Sequence, residues 1–128
     1  MTTEERRARI ELLEEGERRL VSLDGQLVGV FRVNNELRAW YNDCPHQGGP
    51  VCSGRLTGTL TVKGANPRPQ LEWVREGTIL ACPWHGLEFD VLDGECLAFP
   101  GVRLKPAEVE FDEDGITLKS PAWSSWDI

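Results

Sequence analysis

Histidine is scarce in this sequence, and long apolar runs are absent from it. The 128 residues include two histidines, one tyrosine and one methionine. No apolar stretch approaches the length of a membrane-spanning helix, and the charged N-terminus has no apolar core of the kind found in a signal peptide. We therefore expect one cytoplasmic domain over residues 1–128 that does not engage a membrane.

Basic residues are few relative to acidic ones, which leaves a net charge of −7. Nucleic acid is not an expected partner, because its phosphates would repel such a chain. An acidic surface is suited to docking against a basic partner protein, although most surface charge simply keeps a protein in solution.

Cysteine is limited to four residues. Disulfide frameworks are typical of secreted proteins, so cysteines in a cytoplasmic chain are more often thiols or metal ligands. Cys44 and Cys82 each have a histidine close by in the sequence, whereas Cys52 and Cys96 do not. We expect Cys52 and Cys96 to be free thiols, with a redox-active pair between them as the alternative.

Short segments of strand-like pattern, separated by turn signals, predict an all-β fold. The segments RRLVSL, LVGVFRV and ELRAWY are joined by Asp24-Gly25 and Asn34-Asn35, which are hairpin turns. Asp93-Gly94 and the DEDG segment at 112–115 predict two further hairpins.

Three segments depart from this regular pattern. A short N-terminal helix is expected over about residues 3–15, because TTEE is a capping box and Gly16 is a helix stop. A turn or exposed loop tip, KGANPRPQ, is expected between two short strands. The C-terminal tail, 120–128, carries two tryptophans and is expected to fold back on the domain, with docking as the alternative.

Both histidines lie in two loops that also contain cysteine. The first loop is CPHQGG, 44–49, and the second is CPWHGLEFD, 82–90. Thiolate and imidazole together favour zinc, copper or iron–sulfur centres over magnesium or calcium. The candidate ligands are Cys44, His46, Cys82 and His85, which could close a tetrahedral zinc site or hold two iron atoms bridged by sulfide.

The residues around these ligands favour the sulfide-bridged centre. Glycines would let backbone N–H groups approach the bridging sulfides, which accept hydrogen bonds. Prolines restrict φ and stiffen the loops, as suits a centre that changes oxidation state with little reorganisation. Trp84 is expected to shield the centre from water or to pack in the core. The residues expected on these grounds to surround the cofactor are Gly48, Gly49, Pro50, Trp84 and Gly86.

The two loops resemble the cluster-binding loops of the Rieske [2Fe–2S] family, in the right order and with the right internal spacing. The likeness extends from about Leu13 to Lys119. Compared with the family, this sequence has an inserted hairpin or loop at about 58–76, either as a tolerated surface extension or as a partner-selecting element. The likeness implies that Cys44 and Cys82 hold one iron of a [2Fe–2S] cluster, while His46 and His85 hold an outer iron near the surface. It also implies a fold of small antiparallel sheets with the cluster at its tip, and it adds Gln47, Leu87 and Phe89 to the residues expected around the cluster. Core cysteines beside incidental histidines would be the alternative, and two matching loops argue against it.

The same resemblance predicts a low reduction potential. High-potential members have an additional cysteine where this sequence has Trp84, and a Ser and a Tyr where it has Leu87 and Phe89. Fewer hydrogen bonds to sulfur favour the oxidised state, so the potential is expected near the low end of the Rieske range, about −150 mV.

Low potential indicates a Rieske-type ferredoxin that passes single electrons from a flavin reductase to a terminal oxygenase, as a dioxygenase component. Catalytic oxygenase subunits of the family add a mononuclear iron domain with two further histidines, which this sequence lacks. We therefore expect an electron-transfer component without a small-molecule substrate of its own. The alternatives are a Rieske-like small subunit of a larger oxidoreductase, such as NAD(P)H nitrite reductase, and a binding module with a structural zinc.

Overall fold

The computed structural model describes residues 7–45, 48–63, 70–84 and 86–120, and nearly all regular structure within these ranges is β. Within the same ranges no helix is long and apolar enough to span a bilayer. A 3₁₀ turn occupies Val51–Ser53. The strands are β1 Arg7–Ile10, β2 Arg18–Leu23, β3 Gln26–Val33, β4 Glu36–Tyr41, β5 Arg55–Lys63, β6 Gln70–Ala81, β7 Glu88–Asp90, β8 Glu108–Asp112 and β9 Gly115–Lys119.

The strands form three antiparallel sheets of three strands each. Their orders are β2-β3-β4, β5-β6-β7 and β1-β9-β8. The first two sheets follow the chain order, whereas the third brings the first strand beside the last. The all-β prediction is thus confirmed.

The β2-β3-β4 sheet is covered on both faces, which explains why LVGVFRV is almost continuously apolar. Val28 and Val30 belong to a core that includes residues of β1 and β9. Phe31 and Val33 belong to a second core that includes residues of β6 and β7. Because side chains alternate along a strand, β3 supplies both cores at once.

The predicted hairpin turns are confirmed. Asp24-Gly25 joins β2 to β3, with φ of 54° and 81°, and Asn34-Asn35 joins β3 to β4, with φ of 52° and 63°. Aspartate, asparagine and glycine tolerate this left-handed conformation better than other residues. The DEDG turn joins β8 to β9. Across Asp93-Gly94 the pairing is shorter and is limited to one isolated bridge, between Phe89 of β7 and Cys96.

The expected N-terminal helix is wrong for the part that the structure describes. Residues Arg7–Ile10 form β1, which pairs with β9. Strand pairing lets Ala8 and Ile10 pack against the buried core, and it lets Arg9 donate hydrogen bonds to Thr117 and Asp112 at 2.7 and 2.8 Å. These contacts override the local helix signals, which are weak compared with tertiary packing. The capping box at residues 2–5 lies outside the described residues.

The segment at about 58–76, expected to be a hairpin or loop, belongs to β5 and β6, which pair antiparallel. The pairing is interrupted by a large bulge. Thr57 is opposite Ile79, but Thr59 is opposite Val74, so one residue of β5 faces four residues of β6. The tip, 64–69, lies outside the described residues, as does the tail from 121 to 128.

Candidate metal centre

Cys44 and Cys82 are buried at the junction between the β2-β3-β4 sheet and the β5-β6-β7 sheet. Each is only 3% exposed. Both belong to the same core, together with Cys52, Leu80 and Phe89. Cys44 follows the end of β4, and Cys82 follows β6 directly. The ends of two strands, one from each sheet, therefore bring two sulfur atoms into one apolar environment.

The loops that begin at these cysteines have the same backbone hydrogen bonds. In the first loop, the N–H of Cys44 donates to the carbonyl of Gly49 at 2.9 Å, and the N–H of Gly48 donates to the carbonyl of Cys44 at 2.7 Å. In the second, the N–H of Cys82 donates to Leu87 at 2.9 Å, and the N–H of Gly86 donates to Cys82 at 2.8 Å. The fourth residue after each cysteine, counted along the chain, therefore plays the same part in both loops.

Glycine is required at that fourth position by the backbone. Gly48 has φ of 75° and Gly86 has φ of 71°. Most side chains would strain such a conformation. The sequence predicted that these glycines bring N–H groups close to the cofactor. In the structure, the N–H groups of Gly48 and Gly86 are donated to cysteine carbonyls within their own loops.

The first loop is closed at its base by a side chain. The Oδ1 of Asn42 accepts a hydrogen bond from the N–H of Cys52 at 2.8 Å, so the residues before and after the loop are joined. Arg18, from β2, donates to the carbonyls of Cys52 and Gly54. Gly54 in turn lies against the carbonyl oxygen of Ala81, leaving no space for a Cβ. This contact brings the end of the first loop beside the start of the second.

The second loop is anchored by the turn that follows β7. The indole Nε1 of Trp40, in β4, donates to the carbonyl of Val91 at 2.8 Å, and Nε of Arg38 donates to the carbonyl of Leu92 at 2.7 Å. Gly94 packs on the same indole, where a Cβ would meet the Trp40 ring at 2.6 Å. The strand that leads into the first loop thus also fixes the position of the second.

One side chain spans the two loops directly. A Cβ placed on Gly49 would stand 2.8 Å from Cδ2 and 2.9 Å from Cγ of Trp84. The indole of the second loop therefore lies on the backbone of the first. Trp84 is 56% exposed, so it does not pack in the core, which was one of the two expectations for it.

The match to a known protein family identifies the domain. The family of the Rieske [2Fe–2S] domain matches residues 6–108 of this chain. The chain belongs to the Rieske family. Its cofactor is accordingly a Rieske-type [2Fe–2S] cluster, which sets aside the structural-zinc alternative.

Solved Rieske proteins share the fold at low sequence identity. The ferredoxin of carbazole 1,9a-dioxygenase from Nocardioides aromaticivorans IC177 is 21% identical, with a TM-score of 0.60 over 88% of this chain and 98% of that one. A putative NADH-dependent nitrite reductase small subunit from Mycobacterium tuberculosis is 22% identical, with a TM-score of 0.62 over 91% of this chain and 96% of that one.

Curated relatives are much longer than the matched region. Apoptosis-inducing factor 3 of Mus musculus is 29% identical over 109 residues, and that of Homo sapiens is 28% identical over 109 residues. The match covers 84% of this chain but only 15% of the length of either relative. Within those two proteins, a region similar to this Rieske domain is one part of a larger whole.

The described part of the site fits the donor chemistry of a Rieske cluster. Cys44 and Cys82 are buried, and the loops that begin at these two residues have the same backbone hydrogen bonds. Their thiolates would be soft ligands, which favour iron–sulfur centres. Among the described residues no group of three or more histidines, cysteines or carboxylates could hold a metal. Both histidines, His46 and His85, and also Gln47, lie outside the described residues.

The remaining predicted neighbours are located as follows. Pro50 is partly buried and precedes the 3₁₀ turn. Leu87 is partly buried against the core, and Phe89 is fully buried within it, opposite Leu80 in β6. Neither side chain has a hydroxyl, so neither can donate a hydrogen bond to sulfur.

Cys52 and Cys96 are both buried free thiols, as the sequence predicted. Burial is the main cause that raises the pKa of Cys52 to about 12, from 9.0. Its Sγ lies 3.3 Å from the carbonyl oxygen of Trp40, to which it donates. Cys52 is therefore a neutral core residue beside the first loop.

Two supports of the site were missed at the sequence level. Asn42 closes the first loop across ten positions, and a signal existed, because asparagine next to a turn often bonds to nearby backbone. Arg18 reaches Cys52 across 34 positions, and no local pattern indicates such a contact.

Proposed function

We propose that this Rieske domain carries single electrons through a cluster held by Cys44, His46, Cys82 and His85. The observation that carries the proposal is the matched pair of loops, each beginning at a buried cysteine and closed by the same backbone hydrogen bonds. When bound, the cluster supplies a centre that takes up and gives back one electron.

The protein's own contribution is rigidity and exclusion of water. Cys44 and Cys82 lie in an apolar core, so the inner side of the centre is removed from solvent. Asn42 and Trp40 fix the bases of the two loops through hydrogen bonds at 2.8 Å. Electron transfer is faster when the ligands need not rearrange, and such bracing limits rearrangement.

As partners we propose a flavin reductase as electron donor and a terminal oxygenase as electron acceptor. The similarity to the ferredoxin of carbazole 1,9a-dioxygenase supports this choice, since that chain is matched over nearly its whole length. A related structure is a complex of the reduced oxygenase and the oxidised ferredoxin, and this chain is 21% identical to the matched chain. We also propose a cytoplasmic location, which two buried free thiols support.

A role as the small subunit of a nitrite reductase is the second candidate. The similarity to the putative nitrite reductase small subunit from Mycobacterium tuberculosis favours it to a comparable degree. The two proposals differ in what the isolated protein does. A carrier accepts electrons from a ferredoxin reductase when purified alone, whereas a subunit copurifies with a large sirohaem subunit and works only inside that complex.

The cluster and its ligands can be tested on the same sample. Iron and acid-labile sulfide are quantified, and an EPR spectrum is recorded after reduction with dithionite. Two irons, two sulfides and a Rieske-type signal are expected. Cys82→Ser should abolish the signal, whereas Cys96→Ala, a buried cysteine outside the loops, should retain it. A signal that persists without Cys82 would contradict the ligand assignment.

The histidines require a separate test. His85→Cys replaces imidazole with thiolate on the outer iron, and thiolate ligands stabilise the oxidised state. The midpoint potential should fall towards the value of about −400 mV seen with four cysteine ligands. His85→Cys protein with an unchanged potential and a full complement of iron would show that His85 is not a ligand.

A further inference from the structure

Gly49 has no space for a side chain because a tryptophan from the other loop lies against it. The three atoms nearest to the position of a Cβ on Gly49 all belong to Trp84, at 2.8, 2.9 and 3.1 Å. Gly49 is not among the residues of positive φ, so its backbone would accept another residue without strain. The Trp84 indole, rather than the local conformation, therefore requires glycine here.

Gly49 is also the residue that fixes the start of its own loop. Its carbonyl accepts hydrogen bonds from the N–H of Cys44 at 2.9 Å and from the N–H of Val51 at 2.8 Å. Anything that displaces Gly49 must therefore disturb the backbone of Cys44. The Trp84 indole contacts Gly49, the residue at which such a displacement would begin.

Trp84 is in turn held by the second loop. It lies between Cys82 and Gly86, which are joined by a hydrogen bond of 2.8 Å. More than half of the Trp84 side chain is exposed, whereas Gly49 is buried. A large aromatic ring that is mostly exposed adds little to a core, so its contact with Gly49 points to a positional role.

We propose that Trp84 is a positioning residue that locks the first cysteine loop against the second. The indole on Gly49 keeps the backbone of Cys44 in place relative to Cys82, so both loops are assembled before the cofactor enters and separate slowly afterwards. The proposal rests on the function proposed above, because it takes these loops as the binding site. Its structural part, the coupling of the loops, can be measured without the cluster.

A double-mutant cycle tests the contact. Gly49→Ala introduces a Cβ that collides with Trp84 and should release the cluster about tenfold faster in the presence of a chelator, followed by loss of visible absorbance. Trp84→Ala should also speed release, by removing the lock. In the Trp84→Ala background, Gly49→Ala should add little, because no ring remains to collide with. Additive effects of the two substitutions would overturn the proposal.

Two comparison variants separate positioning from general stability. Trp84→Phe keeps a flat ring and should restore slow release. Trp73→Ala removes another exposed tryptophan, one that packs on Gly58 and bonds Glu76 in the β5–β6 hairpin, and should leave the release rate unchanged. Equal release rates for Trp73→Ala and Trp84→Ala would contradict the specific role.

Amide hydrogen exchange of the cluster-free protein distinguishes this proposal from the proposed function. Trp84→Ala should increase exchange at the amides of Cys44 and Gly48, and Trp73→Ala should not. That result would support loop positioning even if iron analysis showed that the wild-type protein binds no cluster. Unchanged exchange at both amides would refute it, whatever the cofactor content.

Discussion

At the scale of single residues, Cys52 shows how tightly the first loop is packed onto the β2-β3-β4 sheet. A Cβ on Gly29, in β3, would stand 2.6 Å from both Cβ and Sγ of Cys52. The thiol occupies the space that a side chain at Gly29 would need. Since Cys52 also receives the Asn42 hydrogen bond, this one residue connects the sheet, the loop base and the core.

The raised pKa of Cys52 leads to a prediction about reactivity. Only the thiolate is nucleophilic, and a pKa of about 12 keeps the folded thiol protonated at pH 9. Alkylation of Cys52 by iodoacetamide at pH 9 should be slower in the folded protein than in urea, by on the order of a hundredfold or more. Peptide mass spectrometry measures the extent of reaction.

The same shift has a consequence for stability, because burial raises the folded pKa of Cys52 above that of the unfolded chain. The resulting contribution to stability is fully present below about pH 9 and is lost as the pH rises towards 12. The difference in unfolding free energy between wild type and Cys52→Ala should therefore shrink across that range. A difference independent of pH would contradict the assignment of a buried, neutral thiol.

What the sequence predicts at this scale depends on distance along the chain. Cys44 and Cys82 could be recognised as candidate ligands because each is followed within a few residues by histidine. The contact between Gly49 and Trp84 could not, because 35 positions separate them and only the fold brings them together. Glycine next to glycine in CPHQGG indicates a turn, which is true of Gly48 but not of Gly49.

At the scale of elements, the β5–β6 hairpin combines a bulged base with an exposed apolar face. Leu60 and Trp73 are opposite each other in the pairing, and Leu71 lies two residues from Trp73 on the same face. These three side chains are 58%, 53% and 72% exposed, respectively. Exposed apolar residues grouped on one face are typical of contact surfaces.

Shortening this hairpin should affect partner recognition more than folding. A variant that joins Thr59 to Val74 through an Asn-Gly turn removes no residue of the two cores. We expect it to retain its cluster and melt within a few degrees of wild type, while its KM as substrate for a ferredoxin reductase rises several-fold. Phe111→Ser, which removes an exposed aromatic from β8, is the matched control and should leave KM unchanged. An unchanged KM in the shortened variant would identify the hairpin as a tolerated extension.

Strands could be predicted from the sequence where typical turn residues separate segments of strand-like pattern. Strands that lack either signal could not be predicted. The β2–β3–β4 hairpins have Asp-Gly and Asn-Asn turns between apolar segments, and the structure has them where expected. β1 is a strand because it pairs with β9: Ala8 is opposite Leu118, which lies 110 positions further along the chain. Local helix signals at residues 2–16 gave no warning of that partner.

At the scale of the whole molecule, the apolar surroundings of the loops set the expected reduction potential. Phe89 is fully buried and Leu87 is packed against the same core, so these two positions of the second loop bring no hydroxyl group. Without hydrogen bonds from hydroxyl groups, the sulfur atoms of the cluster and its ligands keep more electron density. The oxidised state of the cluster is then favoured.

A redox titration monitored by EPR or visible absorbance checks this expectation. The midpoint potential should lie near the low end of the Rieske range, about −150 mV. Phe89→Tyr, which adds a hydroxyl with minimal change in shape, should raise it. A wild-type midpoint above about +100 mV would contradict the argument from missing hydrogen bonds.

The pairing of β1 with β9 has a consequence for how this domain can be used. Arg7 and Lys119 are direct partners in that antiparallel pair, so the polypeptide enters and leaves the described fold at adjacent points. A unit with neighbouring entry and exit points can be spliced into a surface loop of another protein without stretching either chain. The fold is thus suited to insertion into another protein as a Rieske domain.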